Sequence, residues 1–155
     1  SDYECHFFGF NGKMSEMNAV LGLANLARID EALQLRASIA AHYRTSLSRV
    51  PGLRFQKIRE GCRAVCGYFA AVVDSDVYGR TRDELYMHLE SHGVFAKKYF
   101  HPPLHEMRAY EKSPSGCLDH STALSRNVLC LPIYPHLPEQ EVRRVEELVA
   151  EYYRG

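Results

Sequence analysis

The 155-residue chain lacks an excess of charge of either sign, a long apolar run and any low-complexity tract. Nineteen basic residues balance nineteen acidic ones, which argues against an extended surface for nucleic acid or anionic lipid. No apolar stretch reaches the roughly 20 residues of a membrane-spanning helix, and the first residues do not resemble a signal peptide. The length and the ordinary composition predict one globular domain over residues 1–155.

The cysteines are odd in number and scattered, which argues against a secreted disulfide framework. The five cysteines are scattered, at Cys5, Cys62, Cys66, Cys117 and Cys130. We therefore expect reduced thiols in a cytoplasmic protein. Cys62-x3-Cys66 has the spacing of half a zinc site, but no second pair of suitable spacing follows it, so we expect no metal.

Apolar residues recur at helical spacing in several segments. The first helix is expected around Met14–Leu26, with Ser15 as its cap and Glu16 in its first turn. The second carries apolar residues from Ile29 to Leu47 and stops before Pro51. Three further helices are expected: one begins at the capping box 81–84 and ends at Gly93, a weaker one covers 119–127, and the last opens with Pro138.

Three short segments are rich in apolar and β-branched residues and predict strands. They are Gly67–Val73, Val94–Phe100 and Val128–Ile133. The order of elements predicts an α+β fold, in which helices pack on a small antiparallel-type sheet of about three strands.

Four motifs, in one order, resemble segments of the DegT/DnrJ/EryC1/StrS family of sugar aminotransferases. GFNGKMSEMNAVLG at 9–22 matches the family pattern that begins G-[YF]-N-x-[RK]-M-S-E. The others are GRTRDELY at 79–86, GVFAKKYFHPPLH at 93–105 and LCLPIYP at 129–135. Family members use pyridoxal 5′-phosphate (PLP) to place an amino group on a keto-sugar nucleotide. The resemblance implies the C-terminal small domain of a fold-type I PLP enzyme.

The resemblance covers the smaller part of a family member and omits its cofactor lysine. PLP chemistry needs a lysine amine that attacks the cofactor aldehyde. The chain has five lysines, and none lies in the family's S-x-H-x-x-K-type segment. We therefore assign no catalytic residue and expect the chain alone to be inactive and to bind no PLP, although the parent enzyme uses it.

Asn11 is the cofactor-binding candidate that the resemblance supplies. In the family the matching asparagine reaches across a dimer and donates to the PLP phosphate of the other subunit, a task that suits an uncharged amide. From the residues alone, Asn11 between Gly9 and Gly12 also fits a simple turn before a helix.

The segment 97–105 holds the candidates for substrate binding. Lys97, Lys98 and Tyr99 form a basic and aromatic cluster that is suited to a pyrophosphate, but a solvated edge strand protected by charge fits them equally well. His101-x3-His105 has the spacing of a helical metal site, yet the intervening prolines forbid a helix, so zinc is not expected. The resemblance implies that this loop approaches the sugar, where either histidine could form a hydrogen bond.

The leading hypothesis is a C-terminal domain or fragment of an aminotransferase of lipopolysaccharide or other surface polysaccharide synthesis. Its partners would be a nucleotide sugar and either a second copy of the chain or a separately encoded N-terminal part, with no nucleic acid or membrane. The alternative hypothesis is a non-catalytic dimerisation or regulatory module that retains this fold.

Overall fold

The computed structural model describes residues 9–10, 12–110, 112 and 116–153. Its α-helices and β-strands, in chain order, are α1 (Glu16–Leu26), α2 (Ile29–Leu47), β1 (Leu53–Phe55), β2 (Phe69–Val73), α3 (Ser75–Tyr78), α4 (Arg82–Ser91), α5 (Asp119–Asn127), β3 (Val128–Leu131) and α6 (Glu139–Glu151). Two short 3-10 helices, Leu104–Glu106 and Arg108–Tyr110, lie between α4 and α5. The chain divides into two compact units, Ser1–Glu31 and Ala32–Gly155. No helix in the described part is long and apolar enough to cross a membrane.

The first unit contains α1, which begins where the sequence predicts. The Ser15 hydroxyl accepts a hydrogen bond from the backbone amide of Asn18, and Glu16 lies in the first turn. None of the residues of α1 is buried. Its large apolar side chains are more than half exposed, namely Met17, Val20, Leu21, Leu23 and Leu26.

The second unit is built on a three-stranded antiparallel sheet in the order β1-β2-β3. Phe69, Ala71 and Val73 on β2 are buried, whereas the alternate residues Ala70 and Val72 are only partly covered. This alternation is that of a strand with one face on a core and the other face more open. The prediction of an α+β fold with a small antiparallel sheet is confirmed.

Helices α2, α4 and α6 cover the buried face of the sheet. Their core side chains are Ala40, Tyr43, Leu47, Leu85, Leu89, Val142, Val145 and Val149. Two tyrosines tie distant segments together, since Tyr43 donates to the Pro132 carbonyl at 3.1 Å and Tyr78 to that of Val149. Burial raises the pKa of both phenols far above the ordinary value, so they stay protonated donors.

The prediction of a strand over Val94–Phe100 is wrong. That segment forms a single bridge, between Lys97 and Cys130, and the amide of Val94 donates to the Leu89 carbonyl of α4 rather than to a neighbouring strand. The third strand is instead Leu53–Phe55, which is too short to show a pattern in the sequence. It begins after Gly52, whose φ of 79° places it in the left-handed region.

The capping box at the start of α4 is confirmed in detail. The Thr81 hydroxyl accepts from the Glu84 amide, and the Glu84 carboxylate accepts from the Thr81 amide at 2.8 Å. Gly93 follows the helix with a φ of 76°, as its role in ending α4 predicts. The predicted helices over 119–127 and after Pro138 are present as α5 and α6.

A ring cluster joins the end of α4 to the end of α6. The His88 ring stacks on Tyr152 at 4.0 Å between centroids, and the His92 ring lies 4.5 Å from His88. The guanidinium carbon of Arg80 lies 5.0 Å from the centroid of the Tyr152 ring. Burial, followed by the neighbouring His92, holds the pKa of His88 below its ordinary value.

This depressed pKa predicts that acid destabilises the fold through His88. The unfolded chain, with an ordinary histidine pKa of about 6.5, binds the proton more tightly than the folded one. The contribution of His88 is therefore complete above that pH and is lost as the pH falls below it. Urea unfolding from pH 7.5 to 5 should show a smaller loss of stability for His88→Gln than for the parent. The exposed His136→Gln should follow the parent, and equal slopes for all three would contradict the prediction.

Candidate functional site

The open face of the sheet forms the floor of a cavity of about 800 Å³. Ala70 and Val72 of β2 line this floor, and Arg54 of β1 lies at its edge. The wall opposite β1 consists of α5 and the loop that leads to it, through Tyr99, Phe100, Pro103, Ser121, Leu124 and Ser125. The lining is mainly apolar with a few polar groups, which is the usual make-up of a small-molecule site.

A second cavity, of about 390 Å³, adjoins the first. The two share Gln56, Ala70, Tyr99 and Phe100 as lining residues. Tyr99 stacks on Phe100 at 4.8 Å, and Tyr68 meets Tyr99 edge to face at 5.2 Å. These three rings form an aromatic wall that is partly exposed and that can stack on a planar ligand.

The arginine at the second cavity serves the fold. Arg44 donates to the Gln56 carbonyl at 2.8 Å, and its guanidinium carbon lies 5.9 Å from the centroid of the Phe69 ring. Among the residues that the structure describes, none pairs with the Arg54 guanidinium, and Arg54 is exposed at the larger cavity. Arg54 is therefore better placed than Arg44 to meet an anionic group of a ligand.

The two loop histidines are attached to α5. His105 Nε2 lies 2.9 Å from the Thr122 hydroxyl, and His101 Nδ1 lies 3.4 Å from that of Ser125. The Ser125 hydroxyl also donates to the Phe100 carbonyl at 2.6 Å. Contacts from one face of α5 therefore set the position of both rings.

Lys98 turns away from the cavities toward α4. Its ammonium pairs with the Asp83 carboxylate and lies 4.2 Å from the centroid of the Tyr86 ring. The hydrogen bond from Lys98, together with the charge of Arg82, holds the pKa of Asp83 below its usual value. Tyr99, the next residue, lines both cavities, and Lys97 is exposed.

Arg82 joins α4 to the junction of α5 and β3. Its residue is 2% exposed, and its guanidinium donates to the carbonyls of Val128 at 2.9 Å and Ser125 at 3.3 Å. The Nε donates to Asp83 at 2.9 Å. A buried guanidinium requires such partners, because its desolvation is costly.

The structure thus brings together part of the predicted site. Tyr99, His101 and His105 lie around the end of α5, whereas Lys98 is committed to Asp83. Asn11 lies outside the described residues. Arg54 was not predicted as a site residue, because β1 was not predicted. Ser121 and Ser125 were not predicted either, because small polar residues on a helix give no signal of a site.

Comparison with known proteins identifies the family. The model of the DegT/DnrJ/EryC1/StrS aminotransferase family matches residues 1–150. The chain belongs to this family. It is 33% identical over 144 residues to the dTDP-4-amino-4,6-dideoxy-D-glucose transaminase of Escherichia coli, covering 91% of this chain and 38% of that protein. It is 32% identical over 146 residues to the dTDP-3-amino-3,4,6-trideoxy-alpha-D-glucose transaminase of Streptomyces venezuelae, covering 93% and 37%.

A solved structure agrees with these relatives. The chain superposes on DesV of S. venezuelae, in complex with a ketimine intermediate, with a TM-score of 0.85 and 29% identity. The match covers 98% of this chain and 40% of DesV. The chain thus spans about two fifths of the length of the sugar aminotransferases that it matches.

The described residues do not by themselves fit the PLP that this aminotransferase family uses. The cofactor requires a lysine amine in the site, and neither cavity is lined by a lysine. Lys98 is held by Asp83, and Lys13, Lys57, Lys97 and Lys112 are not among the residues that line either cavity. Among the residues that the structure describes, no three His, Cys, Asp or Glu side chains converge as a metal site would require.

The contacts of Arg82 predict that its loss destabilises the second unit. Arg82→Met should lower the free energy of unfolding by about 2–4 kcal/mol, because two buried carbonyls lose their donor. Arg126→Met, which removes an exposed pair with Glu106 nearby, should change it by no more than about 0.5 kcal/mol. Urea unfolding measures both variants, and equal effects would show that the Arg82 contacts are not worth more than a surface pair.

Proposed function

We propose that this chain supplies the C-terminal part of a PLP-dependent aminotransferase that acts on keto-sugar nucleotides in lipopolysaccharide or other surface polysaccharide synthesis. The observation that carries the proposal is the family match over residues 1–150. Support for the substrate class comes from the two relatives, since the names of both specify dTDP-linked amino sugars. We propose that the chain alone is inactive, because neither cavity is lined by a lysine.

The chemistry of the cavity suits a nucleotide sugar. Such a ligand combines a planar base, a charged diphosphate and a sugar with several hydroxyl groups. Tyr99 and Phe100 offer aromatic faces, and Arg54 offers a cation for phosphate at the edge of the cavity. A volume of about 800 Å³ is within the range of small-molecule sites.

We assign the predicted residues roles within this proposal. Lys97 is an exposed cation two residues before Tyr99 in the chain and is a candidate for the diphosphate. His101 and His105 are candidates for hydrogen bonds to the sugar, because both rings lie on the loop that borders the larger cavity. Lys98 has a weaker claim, since binding a ligand would cost its pairing with Asp83.

A chimera tests the proposed function. In the chimera, this chain takes the place of the matching two fifths of the E. coli transaminase. The remaining part of that enzyme supplies the cofactor lysine. We expect the chimera to transfer an amino group to the E. coli enzyme's substrate above background. The isolated chain with PLP should give no adduct that borohydride traps on one specific lysine. A folded, cofactor-loaded chimera without activity would contradict the proposal, as would single-site trapping on the isolated chain.

The same chimera tests the role proposed for Asn11. If its amide donates to the cofactor phosphate, Asn11→Ala should weaken PLP binding roughly ten- to hundred-fold, since a hydrogen bond to a charged group contributes about 1.5–3 kcal/mol. The stability of the cofactor-free chimera should barely change. If Asn11 only forms a turn, its loss should lower stability by about 1 kcal/mol and leave PLP affinity unchanged. Cofactor titration and urea unfolding of the same variant separate the two roles.

A non-catalytic dimerisation or regulatory module is the second candidate. The observation that favours it is the row of exposed apolar side chains on α1, including Leu21 and Leu23, because exposed apolar patches mark contact surfaces. An inactive chimera together with a stable dimer of the isolated chain in sedimentation would support this alternative.

A further inference from the structure

Ser125 is a buried hydroxyl that contacts two groups of the loop at once. The residue is 6% exposed and lies near the end of α5. Its Oγ is 2.6 Å from the Phe100 carbonyl oxygen and 3.4 Å from Nδ1 of His101. Arg82 holds the backbone carbonyl of the same residue at 3.3 Å.

The number of protons that each group carries determines the direction of both hydrogen bonds. A serine hydroxyl carries one proton, and a backbone carbonyl can only accept. The 2.6 Å contact therefore uses the Ser125 proton, and a lone pair of Oγ faces His101. The Nδ1 atom of His101 can form a hydrogen bond to that lone pair only if it carries a proton itself.

We propose that Ser125 is a positioning residue that fixes His101 as the Nδ1–H tautomer and so presents an unprotonated Nε2 at the surface. His101 is an exposed residue, and among the described residues no group pairs with its Nε2, which leaves this nitrogen for a ligand. In this tautomer Nε2 accepts a hydrogen bond and cannot donate one. The group that Nε2 recognises is therefore a hydrogen-bond donor. That this donor is a sugar hydroxyl rests on the function proposed above.

His105 provides the contrast within the same loop. Its contact with the Thr122 hydroxyl uses Nε2, so its free nitrogen is Nδ1. No second partner of the Thr122 hydroxyl is present among the described residues, and the hydroxyl can rotate to donate or accept. Thr122 thus orients His105 without dictating its tautomer, which makes Thr122 the matched control for Ser125.

Imidazole nitrogen shifts read the tautomer directly in the full chain. With ¹⁵N-labelled histidine at about pH 8.5, roughly two units above the ordinary histidine pKa, we expect His101 to show a protonated Nδ1 and an unprotonated Nε2. The signals that are absent from the spectrum of His101→Gln are those of His101, which assigns them. Ser125→Ala should shift His101 toward the Nε2–H form, which predominates in exposed histidines. Thr122→Val should leave His101 unchanged and move the signals of His105.

The possible outcomes decide the proposal. An Nε2–H His101 in the parent protein overturns it even if no variant folds. An unchanged His101 in a folded Ser125→Ala overturns the role of Ser125, and recovery of the Nδ1–H form in Ser125→Thr supports it. No ligand enters these measurements, so their failure is distinct from failure of the proposed function. The proposed contact between His101 and the sugar is tested separately, by adding dTDP-sugar to the active chimera. If the His101 signals do not change, that contact is contradicted, and the tautomer assignment is unaffected.

Discussion

The buried Arg82 guanidinium is the contact on which the geometry of the cavity depends. It holds the carbonyls of Ser125 and Val128, so it fixes the point where α5 passes into β3. Through Asp83 it is also linked to Lys98, immediately before the loop that carries the aromatic residues. One buried cation is thereby linked to the residue that precedes the loop and to the helix α5 that packs against it. The cost of burying it is offset only when all of these partners are present.

The two faces of the sheet have different tasks, and side-chain size separates them. On the core face, Phe69 fills the space between sheet and helices and meets Tyr43 at 5.1 Å. On the other face, Ala70 leaves room, and the larger cavity lies above it. The space above Ala70 remains open because α5 and the loop that leads to it hold each other in place, through the contacts of Ser125 and Thr122. The cavity is thus a consequence of small residues on one face and fixed elements above it.

Local signals predicted the longer helices well, missed the four-residue helix α3 and predicted the third strand badly. The capping box 81–84 and the apolar period of α6 are formed by residues close in sequence, so they could be read directly. Val94–Phe100 has strand composition but makes one bridge, because pairing is decided by partners far along the chain. β1 has three residues, too few for any periodicity. The family motifs pointed to the loop around Tyr99, but Arg54 entered the site only once β1 had been located.

The chemistry of the loop histidines is a tertiary property that residue type alone could not supply. The sequence identifies His101 as a polar ring between a phenylalanine and two prolines, and nothing adjacent determines which nitrogen carries its proton. That decision falls to a hydroxyl 24 positions later, whose single proton is already given to the Phe100 carbonyl. Arg82 holds the backbone carbonyl of the same serine and so supports the end of α5 on which this hydroxyl lies. A substitution at Arg82 should therefore change which nitrogen of His101 carries the proton, although Arg82 contacts Ser125 and not His101.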